Sequence, residues 1–310
     1  MPIKRLQNTD AEGRFTLIFT CIYALIVTLP QTINIENMWI QLILLAVSTL
    51  LMMEFNNANA LIRIYSRMVS CSFLALSVID STLLSSIKGG AFQLFFILFL
   101  LFLFRAYQDK KAHGYIYYAF LSLSISSLCF VQVLFIVPFL WVLLFTNVLA
   151  GSIKNLSASI LGLLTPYWLA LGYSLYSNNI DPLFNHFSVL SQFEEPFNMA
   201  LLSNNSLLIL SFLSLLSLTG IIHFLRNSFL DKIKTRMIYE ALIALNIIIF
   251  VFIVLQPQHY SYLIRLFIIT VSPLIAHFVA LTRTKITNIA FIVFSLITLI
   301  ITIYSLWIHS

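Results

Sequence analysis

Ile125 to Phe145 reads ISSLCFVQVLFIVPFLWVLLF, and whether this run crosses a membrane once or is divided decides the fold built around it. With its flanks it is apolar from about residue 114 to residue 150. A single crossing needs only about 20 residues at ~1.5 Å rise to cover the ~30 Å hydrocarbon core. The polar Gln132 and Pro138, which has no backbone N–H to donate, fall inside the run. We therefore divide it into spans of about 114–129 and 131–150.

Working outward, nine further apolar runs appear at about 15–30, 38–53, 68–87, 90–105, 157–176, 206–225, 238–255, 261–280 and 286–308. The sequence thus predicts an all-α, polytopic integral membrane bundle of eleven transmembrane helices. Charge tests the division. With the N-terminus inside and the C-terminus outside, 15 of the 17 basic residues fall on the inner side, leaving only Lys88 and Arg265 outside, as the positive-inside rule requires. Without the division, RAYQDKKAHG and LRNSFLDKIKTR land on opposite sides.

Composition agrees. At 60% hydrophobic and 9% charged residues, with mean hydropathy +0.98, the chain has too little polar surface to wrap a soluble core. The net charge of +6 is scattered among short loops rather than gathered in a stripe, which argues against nucleic acid. Cys21, Cys71 and Cys129 lie in apolar runs without paired or ligand-like spacing, so they read as packing residues and no metal is expected. The acid-containing N-terminal leader lacks a small-x-small cleavage site after the first run, which we read as a retained span. No phosphate-gripping glycine loop, HExxH or GxSxG is present, no cofactor is expected, and the first outer turn carries only Glu36. Residues 1–310 read as one transmembrane domain.

The longest interruption, 177–205, is expected on the outer face. After Asp181 and Pro182, apolar residues from Leu183 to Phe193 recur at helical spacing, predicting an amphipathic interfacial helix. His186 lies on its polar side, and Glu194 and Glu195 follow. They are solvated residues on an anchor, or acid/base groups on a lid over a membrane cleft.

In QPQHYSYLIR, Gln256 to Arg265, the tyrosines Tyr260 and Tyr262 fit an interfacial aromatic belt. Arg265, about one turn deeper, either snorkels or points inward, where its planar fork suits a phosphate or carboxylate. In SVIDSTLLSSIKGG, helical geometry places Ser77, Ser81, Ser85 and Lys88 on one stripe with Asp80 on its flank. An unpaired carboxylate there costs about 2.5–3.5 kcal/mol on insertion scales and needs a partner, a proton or water. Asp80, His186, Glu194 and Glu195 are the candidate catalytic residues; Lys88, His259, Tyr260 and Arg265 are the candidate substrate-binding residues. Asn59, Arg63 and Arg67 repeat at four-residue spacing on the inner side, a basic helical surface for anionic headgroups or simply a positive-inside loop.

Three stretches, NNANALIRIYSR, SISSLCFVQVLFIVPFLWVLLFTNVLAGSIKNLSASILGLLTPYW and PQHYSYLIRLFIITVSPLIAHFVA, resemble an uncharacterised family of Bacteroidota polytopic inner-membrane proteins. The resemblance implies the bacterial inner membrane and the cell envelope, and carries no activity. The layout also looks like membrane enzymes acting on polyprenyl-linked sugars, at the level of fold alone. Three functions stay open: a handler of a lipid-linked anionic substrate (polyprenyl phosphate or glycan) at the outer leaflet, an ion-coupled transporter using Asp80, and a non-catalytic subunit of an envelope complex. Membrane lipids, a polyprenyl-linked glycan and other envelope membrane proteins are the corresponding partners.

Overall fold

The structure, a computed structural model, describes residues 5–30 and 38–309, the side chain of His309 excepted; Glu36 lies outside them. Among these the chain is helical, with no strand: α1 (Leu6–Glu12), α2 (Thr16–Thr28), α3 (Met38–Asn59), α4 (Met68–Ser77), α5 (Ile87–Arg105), α6 (His113–Cys129), α7 (Val137–Thr146), α8 (Ile153–Tyr176), α9 (Asp181–Ser188), α10 (Asn204–Asn227), α11 (Ile233–Leu255), α12 (Tyr260–Leu281) and α13 (Lys285–His309). Seven helices are long and apolar enough to cross a membrane, or eight if α1 and α2, bent by 95°, form one span. This is the architecture of a multi-pass membrane protein.

Each of the eleven apolar runs coincides with a helix or a broken pair, and seven of them hold an unbroken helix of crossing length. The divided run is divided: α6 ends at Cys129, a 3-10 helix covers Val131–Ile136, and α7 follows with Pro138 in its first turn, where the missing N–H is harmless. That second half is short, 16 residues from Val131 to Thr146.

The run at 68–87 is not the continuous helix expected. α4 stops at Ser77, a 3-10 turn occupies Ser81–Ser85, and α5 begins at Ile87. Capping chemistry is the cause. Asp80 accepts from the Thr82 N–H, and Ser86 accepts from the Gly89 N–H, so two side chains satisfy backbone donors that a continuous helix would have used. The stripe through Ser77, Ser81, Ser85 and Lys88 therefore does not form. On the opposite face of the bundle, α3 ends at Asn59 and residues 60–67 are irregular, so Arg63 and Arg67 do not continue a helical surface.

α12 is the axis. It packs against α4, α5, α10 and α11, and 94% of its apolar window is buried, against 11% for α8 and 17% for α13. Close approach explains part of this: a Cβ on Gly220 of α10 would meet the Leu274 backbone of α12 at 2.7 Å, and small residues let membrane helices pack at such distances. α1 folds back under this axis. Gln7 donates to the Val279 carbonyl at 2.7 Å and to Thr282 Oγ1 at 2.6 Å, and Asn8 donates to the Thr282 carbonyl.

The loop at 177–205 holds α9, but the amphipathic helix is shorter than expected, ending at Ser188 and followed by a 3-10 turn. Asp181 is its first residue, with Ile180 at the N-cap position.

Candidate functional site

The break between α4 and α5 leaves polar backbone inside the bundle, at the end that carries the 177–205 loop. Asp80 is buried to 1% exposure. Its Oδ1 accepts from the Thr82 N–H at 3.0 Å and the Thr82 hydroxyl at 2.7 Å, while Oδ2 has no hydrogen-bond partner. Arg265, 3% exposed, faces the bundle and does not snorkel. Its Nε donates to the Ser261 carbonyl at 3.2 Å, Nη1 to Gln93 Oε1 at 3.3 Å, and Nη2 to the Leu83 carbonyl that the broken helix leaves free. Gly89 makes room, because a Cβ there would sit 2.6 Å from the guanidinium. Gln93 in turn donates to Ser77 Oγ at 3.1 Å.

Asn205 extends this layer. Its Nδ2 and the Ser81 N–H both donate to Ser305 Oγ, at 3.3 and 3.2 Å, and its buried Oδ1 has no partner. Tyr260, expected in an interfacial belt, is instead buried, with its hydroxyl on the Ser206 carbonyl at 3.1 Å. The Asp80 carboxyl lies near both Arg265 and Tyr260. One buried layer therefore holds a carboxylate and an amide, each with an unused acceptor, beside a guanidinium with five N–H donors, three of them engaged.

The remaining predicted residues surround this layer or stand apart from it. His259 packs against Phe130 at 5.2 Å, and Phe130 stacks on Tyr262 at 4.8 Å. The loop reaches this turn through backbone: Glu194 N–H donates to Gln256 Oε1 at 3.3 Å, and Gln256 Nε2 returns to the Glu194 carbonyl at 3.2 Å. Glu195 and Lys88 are exposed. His186 lies elsewhere, its Nε2 3.4 Å from the Tyr167 hydroxyl, and burial lowers its pKa below the ordinary histidine value. The set is thus split: Asp80, Arg265 and Tyr260 share one buried layer, His259 and the backbone of Glu194 lie at the turn that precedes α12, and His186 does not join them.

A second buried polar centre, which the sequence reading missed, lies at the other end of α12. His277 is fully buried, with Nε2 2.9 Å from Asp231 Oδ2 and Nδ1 3.2 Å from Nδ1 of His223. Arg63 approaches Asp231 Oδ1 at 3.8 Å and is 38% exposed. Tyr239 packs edge-on to His277 at 4.9 Å and donates its hydroxyl to the Pro273 carbonyl. With Nε2–H given to the carboxylate, a neutral His277 accepts from His223 at Nδ1. The signal was two histidines inside apolar runs and one acid, Asp231, in a basic loop. From Arg265 to His277 the axis runs about 18 Å at ~1.5 Å per residue.

Among the described residues no group of three histidine, cysteine or acidic side chains is placed to hold a metal ion. Comparison with protein-family models, curated proteins and solved structures gives no match.

Proposed function

We propose that the chain spans a bacterial inner membrane eleven times, N-terminus inside, and carries a small anion together with a proton through the layer around Asp80 and Arg265. The observation that carries this reading is the unpartnered Oδ2 of a carboxylate buried to 1% at a helix break, the setting in which membrane transporters place coupling groups. A proton on Oδ2 neutralises Asp80 and leaves Arg265 uncompensated, and an anion that takes the two remaining guanidinium N–H groups restores neutrality. The two ligands therefore bind together. His277, His223 and Asp231 supply protonatable groups at the far end of the same helix. Proteoliposomes under an inward proton gradient, assayed for uptake of labelled small carboxylates and inorganic phosphate together with acidification of the lumen, test the idea. Asp80→Glu should keep gradient-driven uptake and Asp80→Asn should abolish its dependence on the gradient. Unchanged gradient-driven uptake in Asp80→Asn, or no uptake of any anion, would reject it.

A second reading, the handling of a lipid-linked anionic substrate at the outer leaflet, draws support from a groove of about 530 Å³ beneath the loop, lined by Phe135, Phe139, Phe193, Ile248 and Phe252. A polyprenyl chain suits such a surface. Arg265, at 3% exposure, is better placed for a small ion within the layer than for a bulky headgroup outside it. Polyprenyl phosphate in native mass spectra of the purified protein would reverse this order.

A further inference from the structure

At the end of the molecule remote from the 177–205 loop, α1, α2, α4, α12 and α13 surround a cleft that neither polar centre uses. It has two chambers, of about 620 and 200 Å³, which share Asp10, Thr16, Thr20, Ala75, Ser295 and Thr298. Arg14 and Phe19 line the larger, and Ile275, Phe291 and Phe294 the smaller. One end is thus charged and the depths are apolar. The sill is rigid, because α1 lies at 95° to α2 and is bonded to the α12–α13 turn. If α2 spans, α1 runs along the membrane surface and places Asp10 and Arg14 at headgroup level. The Tyr23 hydroxyl, 2.6 Å from Thr302 Oγ1, bridges α2 and α13 on the deeper side.

The polar lining favours a particular ligand. Thr16, Thr20, Ser295 and Thr298 each give their hydroxyl proton to a backbone carbonyl, at 2.6, 2.8, 2.9 and 2.8 Å, which leaves only oxygen lone pairs to offer the cleft. Asp10 adds a carboxylate with no hydrogen bond or ion pair of its side chain among the described residues. The chamber is therefore rich in acceptors and poor in donors, apart from the exposed guanidinium of Arg14.

We infer that this cleft binds a phospholipid with a primary-amine headgroup from the adjoining leaflet. The ammonium donates to Asp10 and the hydroxyl oxygens, the phosphate meets Arg14, and an acyl chain follows the apolar wall into the smaller chamber. A trimethylated amine has no N–H to give, and a glycerol headgroup has no charge for Asp10. The site is independent of the transport reading, since it uses none of the polar side chains that meet around Asp80 or His277.

Native mass spectrometry of the full chain released from mixed-lipid nanodiscs, containing equal amounts of phosphatidylethanolamine, phosphatidylcholine and phosphatidylglycerol, reads this directly. A retained phosphatidylethanolamine adduct is expected over the other two. Asp10→Asn should weaken it about tenfold, the scale of one lost charge-assisted hydrogen bond. Ser295→Trp places bulk in the cleft from an exposed position and should expel the lipid from a folded protein, verified by an unchanged elution volume. Equal retention of the three lipids, or an adduct that survives both substitutions, would overturn the assignment.

Discussion

α12 and α13 are consecutive, of 22 and 25 residues, with mean hydropathies of 2.0 and 2.5 for their spans, yet 94% of one window is buried and 17% of the other. In water the more apolar helix would be the inner one. In lipid the tails solvate apolar side chains as well as protein does, so apolarity does not choose the centre. Polar groups choose it. α12 carries the ionisable Arg265 and His277 besides Thr270 and Ser272, all buried, whereas α13, among the described residues, buries only the hydroxyls of Thr302 and Ser305 and presents Leu296, Ile300, Ile303 and Trp307 to its surroundings. A polar group facing hydrocarbon has no partner, and inside the bundle it finds one.

If that contrast is right, the largest loss of stability comes from the charge that fixes the axis. Arg265→Ala strips donors from the Leu83 carbonyl and Gln93 and leaves the buried Asp80 without its nearby positive charge, which should cost about 3–5 kcal/mol. Arg265→Lys keeps the charge but loses the fork, so it should recover only part of this. Ile300→Ala, on the exposed face of α13, should shift the same unfolding curve by less than about 0.5 kcal/mol. An Ile300→Ala loss comparable to that of Arg265→Ala would break the comparison.

The next effect concerns the other end of α12. Asp231→Asn removes the charged acceptor from His277, a contact with both side chains buried to 2% or less, and should destabilise by about 1.5–3 kcal/mol. Nitrogen chemical shifts of His277 and His223 sharpen the point. With Asp231 in place His277 should hold its proton on Nε2 at neutral pH; in Asp231→Asn that preference should weaken. An unchanged tautomer would mean that Asp231 does not orient the ring.

How much of this was legible in the sequence follows from the same physics. Apolar runs reveal which segments are helical in lipid, and Gln132 with Pro138 marked the break before α7 correctly. The break at Asp80 was equally readable, as two N-cap residues, Asp80 and Ser86, with partners two and three positions on, but the apolar length of 68–87 hid it. Asp80 and Arg265 stood out because each is charged in or beside an apolar run, and Tyr260 because it lies in the polar stretch that precedes Arg265. That Tyr260 is buried was not legible, because an interfacial tyrosine and one bonded to the Ser206 carbonyl look alike in sequence. His223, Asp231 and His277 were missed because their meeting is set by the packing of α10 on α12, and one of the three sits in a loop whose basic neighbours explain it without reference to the core.

The smallest effects separate packing at the axis from helix propensity at the periphery. Gly220 and Gly172 both lie inside long helices, but a Cβ on Gly220 would come within 2.9 Å of the carbon and oxygen of the Leu274 carbonyl, while one on Gly172 would meet nothing within 4 Å. At Gly220 the obstacle is backbone, which no rotamer change can clear, so Gly220→Ala should push α10 off the axis and cost about 1–3 kcal/mol. At Gly172 the added methyl enters open space on α8 and only restricts the unfolded chain, so Gly172→Ala should stabilise by at most about 1 kcal/mol. Paired thermal melts of the two variants in the same detergent check this by sign alone. If both destabilise, the periphery is packed as tightly as the axis, most simply by another protein against α8, and burial on α12 would no longer single out the centre of the assembly.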